Sequence, residues 1–295
     1  MALNYRKFFL CILALLFITA VLIWSAVFQS GAASILSNVG GQDVVKVVFF
    51  DVGQGSSVFI EAANKSQVLI DGGPGSQVLN KLGKEMPFFD RSIDVIILTH
   101  PDADHLNGLA DVLKNYKVYQ VIDSCIEDPG GAYQEWLRLI EEKEIERLCA
   151  QAGQKIKLSE RAEIDVLFPL QSLKGISVEN TNSASLVIKL INGNSTILLT
   201  GDAEEATEHQ LINFNIDLKS QILQVAHHGS KSSSSEKFLE LVAPETAVIQ
   251  VGKNNRYKHP HQEVIDRLKN AKIFRTDLDG NVEFLCGLEK CEAVR

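Results

Sequence analysis

The sequence predicts an α/β layered sandwich, in which two strand-rich halves pack together and carry helices on their outer faces. Short β-branched and aromatic runs alternate with glycine-rich turns and with segments of helical hydrophobic periodicity. The chain has 295 residues, of which about 250 follow an apolar N-terminus. That length fits one large α/β domain or two small ones.

The first half begins with a β-branched run that predicts a strand at 44–50, followed by a glycine turn at 51–57. Further strands are predicted at 58–62, 67–71 and 93–99, and a helix is predicted at 76–84. Apolar residues at helical spacing predict helices at 106–116 and 132–150. The glutamates and lysines of the second of these helices are expected to form a solvated face.

The second half repeats the alternation of strands and helices. Strands are predicted at 164–168, 184–191, 195–200, 220–225, 246–252 and 272–276. Helices are predicted at 203–213, 233–242 and 261–271, and a serine is expected to cap the helix at 233–242. Both halves therefore supply strands and helices to the layered sandwich.

The N-terminus predicts attachment to a membrane. Arg6 and Lys7 precede residues 8–28, a stretch of 21 residues without a charge that is long enough to span a bilayer as a helix. The alternative is a cleaved signal peptide, for which 30–34 offers small residues at a cleavage site. In both interpretations the positive flank stays in the cytoplasm, so the globular part lies outside it, either anchored or secreted.

These boundaries divide the chain into three parts. Residues 1–28 are the anchor or signal sequence, with one N-terminal transmembrane helix in the first interpretation. A small and polar linker follows at 29–43, and the globular domain extends over 44–295.

Charge and cysteines restrict the function further. The formal net charge of −8 argues against a protein that coats nucleic acid without specificity. Residues 219–275 are nevertheless locally basic, with ten Lys/Arg against five Asp/Glu. The four cysteines beyond the apolar run have no CxxC spacing and do not predict a zinc site. Outside the cytoplasm they are free thiols or disulfides, and Cys286–Cys291 is the most local candidate pair.

Polar side chains follow several of the predicted buried strands. Asp71, His100 and Asp202 each stand at the end of an apolar run, and His227 and His228 end another. Because ligands of α/β sheets gather at the ends of strands, these side chains are expected to share one site.

The densest of these groups is "THPDADH", residues 99–105, where His100, Asp102, Asp104 and His105 are expected on one tight turn. Imidazoles and carboxylates are ligands for zinc and manganese. Such a turn suits two metal ions about 3.5–4 Å apart, with Asp202 as the bridging carboxylate. The alternative is that Asp102 or Asp104 caps a helix that starts near Leu106.

The motif resembles the HxHxDH signature of the metallo-β-lactamase superfamily, with aspartate in place of the second histidine. This HxDxDH version is similar to the branch that contains the C-terminal hydrolase domain of the ComEC DNA-uptake proteins of competent bacteria. Five further stretches agree with that branch, and the resemblance covers 44–285: they are "FFDVGQGSSVFI", "LIDGG", "LLTGDAEE", "VAHHGSKSSSS" and "NRYKHPH". It implies a four-layer αββα sandwich with two divalent metal ions, zinc or manganese, at one edge of both sheets.

The resemblance also implies roles for individual residues. His100 and Asp102 would hold the first metal, Asp104 and His105 the second, and Asp202 would bridge them. One of His227 and His228 would complete the second site, and His228 is favoured because Gly229 follows it directly.

Two residues would support the ligands. Asp71 resembles a buried aspartate of the family that orients the metal-binding loop without being a ligand. The family's lactamases and glyoxalases supply a third histidine to the first metal, but the matching region here has none, and Asn182 is the nearest candidate polar group.

The expected function is a metal-dependent hydrolase that uses a metal-activated water, most consistent with a phosphodiesterase or nuclease acting on nucleic acid or another phosphodiester. Asp104, Asp202 and His259 are the expected catalytic residues, and His259 would donate a hydrogen bond to a phosphate or protonate a leaving group. The expected phosphate contacts are Lys231, Lys253, Arg256 and Lys258. With one membrane helix, the chain would act beside a separate DNA-uptake channel.

Two alternatives stay open. A lactonase, lactamase or carboxyl-ester hydrolase of the same fold is opposed by Asp102 and by the missing third histidine. A non-catalytic binding domain is opposed by the near-complete set of ligands.

Overall fold

The computed structural model of the protein describes residues 17–19 and 43–294. Residues 17–19 are helical, while the rest of the predicted anchor, the linker before residue 43 and Cys11 lie outside the described residues. Among the residues described, no helix is long and apolar enough to span a bilayer.

The first sheet has eight strands and carries three helices. Its strands are β1 Val45–Phe49, β2 Val58–Glu61, β3 Gln67–Ile70, β4 Ser92–Ile97, β5 Lys117–Asp123, β6 Glu146–Cys149, β14 Val282–Cys286 and β15 Cys291–Val294. The helices are α1 Gln77–Glu85, α2 Ala103–Asn115 and α3 Gly131–Glu142. The strand order is β15-β14-β1-β2-β3-β4-β5-β6, and β3 to β6 run parallel.

The second sheet has seven strands. They are β7 Lys155–Lys157, β8 Ala162–Phe168, β9 Val187–Asn192, β10 Ser195–Leu199, β11 Ile222–Gln224, β12 Thr246–Ile249 and β13 Lys272–Arg275. The helices of this half are α4 Glu205–Asn213, α5 Glu236–Val242, α6 Gln262–Arg267 and α7 Thr276–Asp279. The strand order is β13-β12-β11-β10-β9-β8-β7, and β10 to β13 run parallel.

Three apolar cores separate the layers. Alternate residues of β1 point in opposite directions, so Val47 joins the core between the two sheets while Val48 joins the core under α1 to α3. A third core lies between the second sheet and α4 to α6. The predicted αββα sandwich is confirmed.

The predicted helix at 132–150 is wrong in its last part. The helix ends at Glu142, Glu144 has a left-handed φ of 54°, and the chain continues as strand β6, which pairs in parallel with β5. Pairing with the sheet therefore overrides the helical periodicity of the sequence. The structure also contains β5, β7, β14 and β15, which were not predicted.

Two disulfides join the four cysteines of the domain. Cys286 and Cys291 are bonded, as the local pairing predicts, and Cys125 is bonded to Cys149. The second pair ties the loop after β5 to the end of β6.

The segment at 99–105 differs from its prediction. Helix α2 begins at Ala103 instead of near Leu106, so Asp104 and His105 lie in its first turn. Asp102 occupies the N-cap position, but its side chain makes no capping hydrogen bond. The motif is thus a strand end followed by a helix start, and the expected single tight turn is wrong.

Close contact between backbones fixes α2 against the strand end. A Cβ atom at Gly108 would lie 1.9 Å from the carbonyl oxygen of Gly72, so only glycine fits there. We expect Gly108→Ala to lower the free energy of unfolding by roughly 1–3 kcal/mol or more, because backbone must move to admit the methyl group. Chemical denaturation measures the change.

Gly83 is the matched control, since it also lies within a helix but its added Cβ would meet no atom within 4 Å. Gly83→Ala should leave stability unchanged or raise it by about 0.5–1 kcal/mol. Equal effects of the two substitutions would contradict the close-contact argument.

Candidate metal centre

Imidazole and carboxylate side chains converge where the parallel strands of both sheets end, which we call the metal edge. His100 follows β4, Asp202 follows β10, and His227 and His228 follow β11. The structure thus brings the ends of these strands together at one edge. Helix α2 adds Asp104 and His105 from its first turn.

Asp71 organises this edge from below. Its Oδ1 accepts from the backbone N–H of Thr99 at 2.8 Å, and its Oδ2 accepts from the Thr99 hydroxyl at 2.8 Å and lies 2.7 Å from Nδ1 of His105. Because a carboxylate only accepts, Nδ1 of His105 carries the proton and Nε2 presents its lone pair. Asp71 thus occupies the supporting position that the sequence predicts.

The other two buried histidines are oriented in the same way. Nδ1 of His228 lies 2.7 Å from the carbonyl oxygen of Gln250, which can only accept. Nδ1 of His100 lies 3.0 Å from the Thr99 hydroxyl, whose proton already goes to Asp71. In its neutral form, each of the three rings therefore carries its proton on Nδ1 and turns the lone pair of Nε2 away from the protein scaffold.

These Nε2 atoms face the Asp202 carboxylate. They lie 3.2 Å from Oδ1 for His105, 3.8 Å from Oδ2 for His100 and 3.7 Å from Oδ2 for His228. The four residues are at most 3% exposed. Among the described residues, these three Nε2 atoms have no partner in hydrogen-bonding geometry. The same holds for Oδ1 of Asp202.

Buried polar atoms without partners are costly, and a cation among them would satisfy the whole set. Two groups have ligand atoms close enough to share an ion: His100, His105 and Asp202 form one, and Asp104, His105 and His228 form the other. Nε2 of His228 is 3.2 Å from Oδ2 of Asp104. The donor set fits divalent metal ions with nitrogen and oxygen ligands.

The electrostatics of the centre favour positive charge. Burial opposes a charged His105, but the carboxylates of Asp202 and Asp71 outweigh it and hold the pKa of His105 well above its ordinary value. Burial would likewise raise the pKa of Asp202, yet the charges of His105 and His228 hold it well below its usual range. Burial and the charge of His105 lower the pKa of His100 to about 4.

Asp102 lies at the rim of the centre. Its side chain is 41% exposed, its Oδ2 is 3.9 Å from Nε2 of His100, and its Oδ1 accepts a short hydrogen bond from the Thr181 hydroxyl. Asn182 follows in the same 3₁₀ turn and is buried, with an Oδ1 that has no partner among the described residues. This 3₁₀ turn is the region that matches the position of the family's third histidine, and it places Thr181 and Asn182 there instead.

His227 reaches the centre from the side. Its Nε2 lies 3.7 Å from Oδ2 of Asp202, and its Nδ1 lies 3.4 Å from Oε1 of Glu204 and from the Ser232 hydroxyl. His227 and His228 both have left-handed backbone angles, with φ of 50° and 55°, which lets two consecutive rings face one carboxylate.

The loop at 252–261 covers one side of the centre. Asn255 fixes it by donating to the carbonyl oxygens of Gly252 and His259 and by accepting from the His259 N–H. The His259 ring lies 5.7 Å from the His227 ring and 6.5 Å from the His228 ring, and its buried Nδ1 has no partner in the described chain. Burial and the nearby His228 and His227 lower the pKa of His259 to about 4.

The four cations expected to contact phosphate are all exposed: Lys231, Lys253, Arg256 and Lys258. Within 43–294 none of them is paired with a carboxylate. The Tyr257 hydroxyl accepts a hydrogen bond from Arg256, and this bond, with a smaller contribution from the charge of Asp104, raises the pKa of Arg256.

Several supporting residues were missed by the sequence reasoning. Thr99 and Gln250 orient the histidines, and Glu204 faces His227. The Ser185 hydroxyl lies 3.4 Å from Nδ1 of His100 and accepts from the Asp202 N–H at 2.9 Å. Thr99 and Glu204 stand beside predicted ligands in the sequence, which is a usable signal. Gln250 has no such signal, because only the pairing of β12 with β11 brings it next to His228.

Comparisons with known proteins agree with this geometry. The model of the Metallo-beta-lactamase superfamily matches residues 50–253. The chain is 30% identical over 272 residues to ComE operon protein 3 of Bacillus subtilis, covering 84% of this chain and 33% of that protein. It is 30% identical over 290 residues to Competence protein ComA of Neisseria gonorrhoeae, covering 92% of this chain and 37% of that protein.

The chain thus spans about a third of the length of these curated relatives. Among solved structures, its fold is similar to that of the metallo-beta-lactamase fold protein YhfI from Bacillus subtilis, with a TM-score of 0.55 and 13% identity, over 81% of this chain and 99% of that one. Fold, metal-binding motif and family match agree, and the chain belongs to the metallo-beta-lactamase superfamily, with similarity to its ComEC-like competence proteins.

Proposed function

We propose that the chain is a metal-dependent phosphodiesterase of the nuclease type that acts outside the cytoplasm. The observation that carries the hydrolase assignment is the orientation of His100, His105 and His228. Each directs Nδ1 to an oxygen of the scaffold and leaves a buried Nε2 facing Asp202.

The residues divide between two metal positions. His100 and Asp102 would hold one zinc or manganese ion, Asp104, His105 and His228 would hold the other, and Asp202 would lie between them. When bound, two such ions supply a water nucleophile at neutral pH and a charge that stabilises the leaving oxygen. His227 would lie beside Asp202, with its ring oriented by Glu204.

The residues around the centre favour an anionic substrate. The cations Lys253, Arg256 and Lys258 lie on the loop that carries His259, and Lys231 follows the His227–His228 turn. Without carboxylate partners their charge is available to phosphate oxygens. A nucleic acid strand brings several phosphates to such a rim at once.

His259 has a role on the substrate side. At neutral pH its ring is uncharged, because its pKa is lowered to about 4. A neutral imidazole donates one hydrogen bond, and the partnerless Nδ1 is available to a phosphate oxygen or a leaving group. Asp104 and Asp202 would contribute negative charge at the metal positions.

Disulfides and the N-terminal sequence support a place outside the cytoplasm. Disulfides persist in oxidising compartments, and two of them join Cys125 to Cys149 and Cys286 to Cys291. The apolar run at 8–28 would anchor the chain in the membrane. One relative is named Competence protein ComA and another ComE operon protein 3, so a separate DNA-uptake channel is the proposed neighbour.

Hydrolysis by the purified full chain tests the proposal. The substrates are bis-p-nitrophenyl phosphate and single-stranded DNA, each with zinc, with manganese and with a chelator. Chelator-sensitive cleavage of both is the expected result. Cleavage of the small ester alone would exclude DNA as the substrate. Cleavage of lactones, lactams or carboxyl esters alone would exclude the proposed phosphodiesterase activity.

The cations of the rim give a second prediction. The double substitution Arg256→Ala and Lys258→Ala should raise KM for single-stranded DNA by about tenfold and reduce its salt dependence by ~0.7 per lost phosphate contact. The kcat for the small ester should change little. Lys65→Ala removes an exposed lysine from the β2–β3 turn, far from the metal edge, and serves as the control. Equal KM values in the natural sequence, the double variant and Lys65→Ala would contradict the role of the exposed cations in binding DNA.

A further inference from the structure

Two adjacent phenylalanines form the tip of a turn between α1 and β4. Phe88 is 89% exposed and Phe89 is 88% exposed, the largest fractions among the large hydrophobic side chains of the described residues. The N–H of Asp90 donates to the carbonyl oxygen of Pro87 at 2.9 Å and closes the turn around them. Turn tips in water favour Gly, Asn, Asp, Ser and Pro, so two aromatic residues here are unusual.

The base of this turn is fixed. The Asp90 carboxylate accepts from the backbone N–H and the hydroxyl of Ser92, at 3.1 and 2.9 Å. It also accepts from Nε2 of Gln67 at 3.0 Å, which ties the turn to the neighbouring strand β3. The two phenyl rings therefore project from a rigid support.

The turn lies at the edge of the sandwich opposite the metal edge. Strand β4 begins directly after it at Ser92 and delivers His100 beyond its other end. Strand β1 begins at the same edge, because it runs antiparallel to β2, which in turn runs antiparallel to β3. Nζ of Lys46, near the start of β1, lies 3.2 Å from Oε2 of Glu85, the last residue of α1.

The segment that follows the apolar run joins the domain at this edge as well. Asn192 donates its side-chain amide to the carbonyl oxygen of Asp43, at 2.6 Å, and to that of Cys286. Residues 29–42 therefore lead from the apolar run at 8–28 to the edge that carries Phe88 and Phe89.

Other side chains at this edge match a lipid surface. Phe214, which follows α4, is 66% exposed. Lys84, Arg91 and Lys117 are exposed and flank the turn, and in the part of the chain that is described none of them is paired with a carboxylate. Aromatic tips flanked by lysine and arginine are typical of the interface of a bilayer with anionic headgroups.

From this arrangement we infer that Phe88 and Phe89 insert into the bilayer that the N-terminal segment is proposed to span. The inference rests on the proposed membrane anchor and adds the orientation of the domain relative to the bilayer. The turn touches the membrane, and the metal edge, on the far side of both sheets, faces away from it. A strand of nucleic acid then reaches the metal centre without passing between the domain and the lipid.

Quenching of tryptophan emission by lipid tests the insertion. The full chain is reconstituted into vesicles of phosphatidylethanolamine and phosphatidylglycerol, with and without bromine on the acyl chains. Phe89→Trp places a reporter at the tip. Leu278→Trp places one at the metal edge, where Leu278 is 70% exposed on α7 after the end of β13. The native tryptophans, Trp24 and Trp136, are present in every protein, so the emission of the natural sequence in the same vesicles is subtracted.

The emission added by Phe89→Trp should lose most of its intensity in brominated vesicles, and that added by Leu278→Trp should lose none. If the chain floats with the vesicles but the emission added by Phe89→Trp is not quenched, the insertion is overturned, and the tip is left for a protein partner. If the chain does not float with the vesicles, the anchoring itself fails, and the inference fails with it. Hydrolysis of the small ester should be the same in Phe89→Trp as in the natural sequence.

Discussion

Asp202→Asn is expected to abolish hydrolysis while the domain stays folded. The substitution keeps the shape of the side chain and removes the buried charge that His100, His105 and His228 all face. Activity should fall by on the order of 10³-fold or more, which corresponds to ~4 kcal/mol of transition-state stabilisation. Turnover of the small ester and the bound metal content, measured on the same samples, check this result.

Stability should respond differently from activity. The free energy of unfolding of the metal-free protein should change little, because loss of the buried charge also removes its desolvation cost. Chemical denaturation measures it. Full activity of Asp202→Asn would contradict the two-metal arrangement.

Asp123→Asn is the matched control for a buried carboxylate at the same edge. Asp123 is 1% exposed and accepts from Arg147 and from the indole N–H of Trp136, without contacting a histidine. This substitution should cost roughly 2–3 kcal/mol of stability, because Arg147 loses its charged partner. Its activity per folded molecule should be retained, so the two variants give opposite results.

The side chains that converge at the metal edge were predictable because of where they stand in the sequence. Asp71, His100, Asp202 and His228 each follow a run of buried apolar residues, and the ends of parallel strands meet at one edge. Polar residues from both halves of the sequence could therefore be assigned to one site. The αββα layers followed from the same alternation of strands and helices.

The scaffold around the ligands was not predictable, because it depends on segments that only the fold brings together. The side chain of Gln250 donates to the carbonyl oxygens of Phe50 and Ser57, about two hundred residues earlier, while its own carbonyl oxygen orients His228. No local pattern marks such a residue. The same is true of Thr181, whose hydroxyl holds Asp102 from another part of the chain.

Periodicity also failed where two structures compete for one segment. Apolar residues at helical spacing continue past Glu142 through Ile145 and Leu148. The free backbone edge of β5 recruits that segment as β6, and the disulfide from Cys149 to Cys125 lies at its end. Tertiary pairing, which a single sequence does not reveal, decided the outcome.

Asp71→Asn tests whether the support of a ligand matters as much as the ligand. Asp71 has a left-handed φ of 57°, a conformation that asparagine tolerates well, so the backbone should not be strained. The amide offers only one accepting atom in place of two. If the amide oxygen takes the Oδ1 position, the Thr99 hydroxyl and Nδ1 of His105 lose their acceptor, and if it takes the Oδ2 position, the Thr99 N–H loses its acceptor.

A ring without that acceptor is free to place its proton on Nε2, the atom that faces Asp202. We expect metal affinity to fall by about 10–100-fold, with activity partly restored at high zinc or manganese. Titration of the metal-free protein measures the affinity. Asp94→Asn is the control, because Asp94 also accepts a backbone N–H, that of Gln67, but at the opposite edge. Unchanged metal affinity in Asp71→Asn would show that the tautomer of His105 does not depend on Asp71.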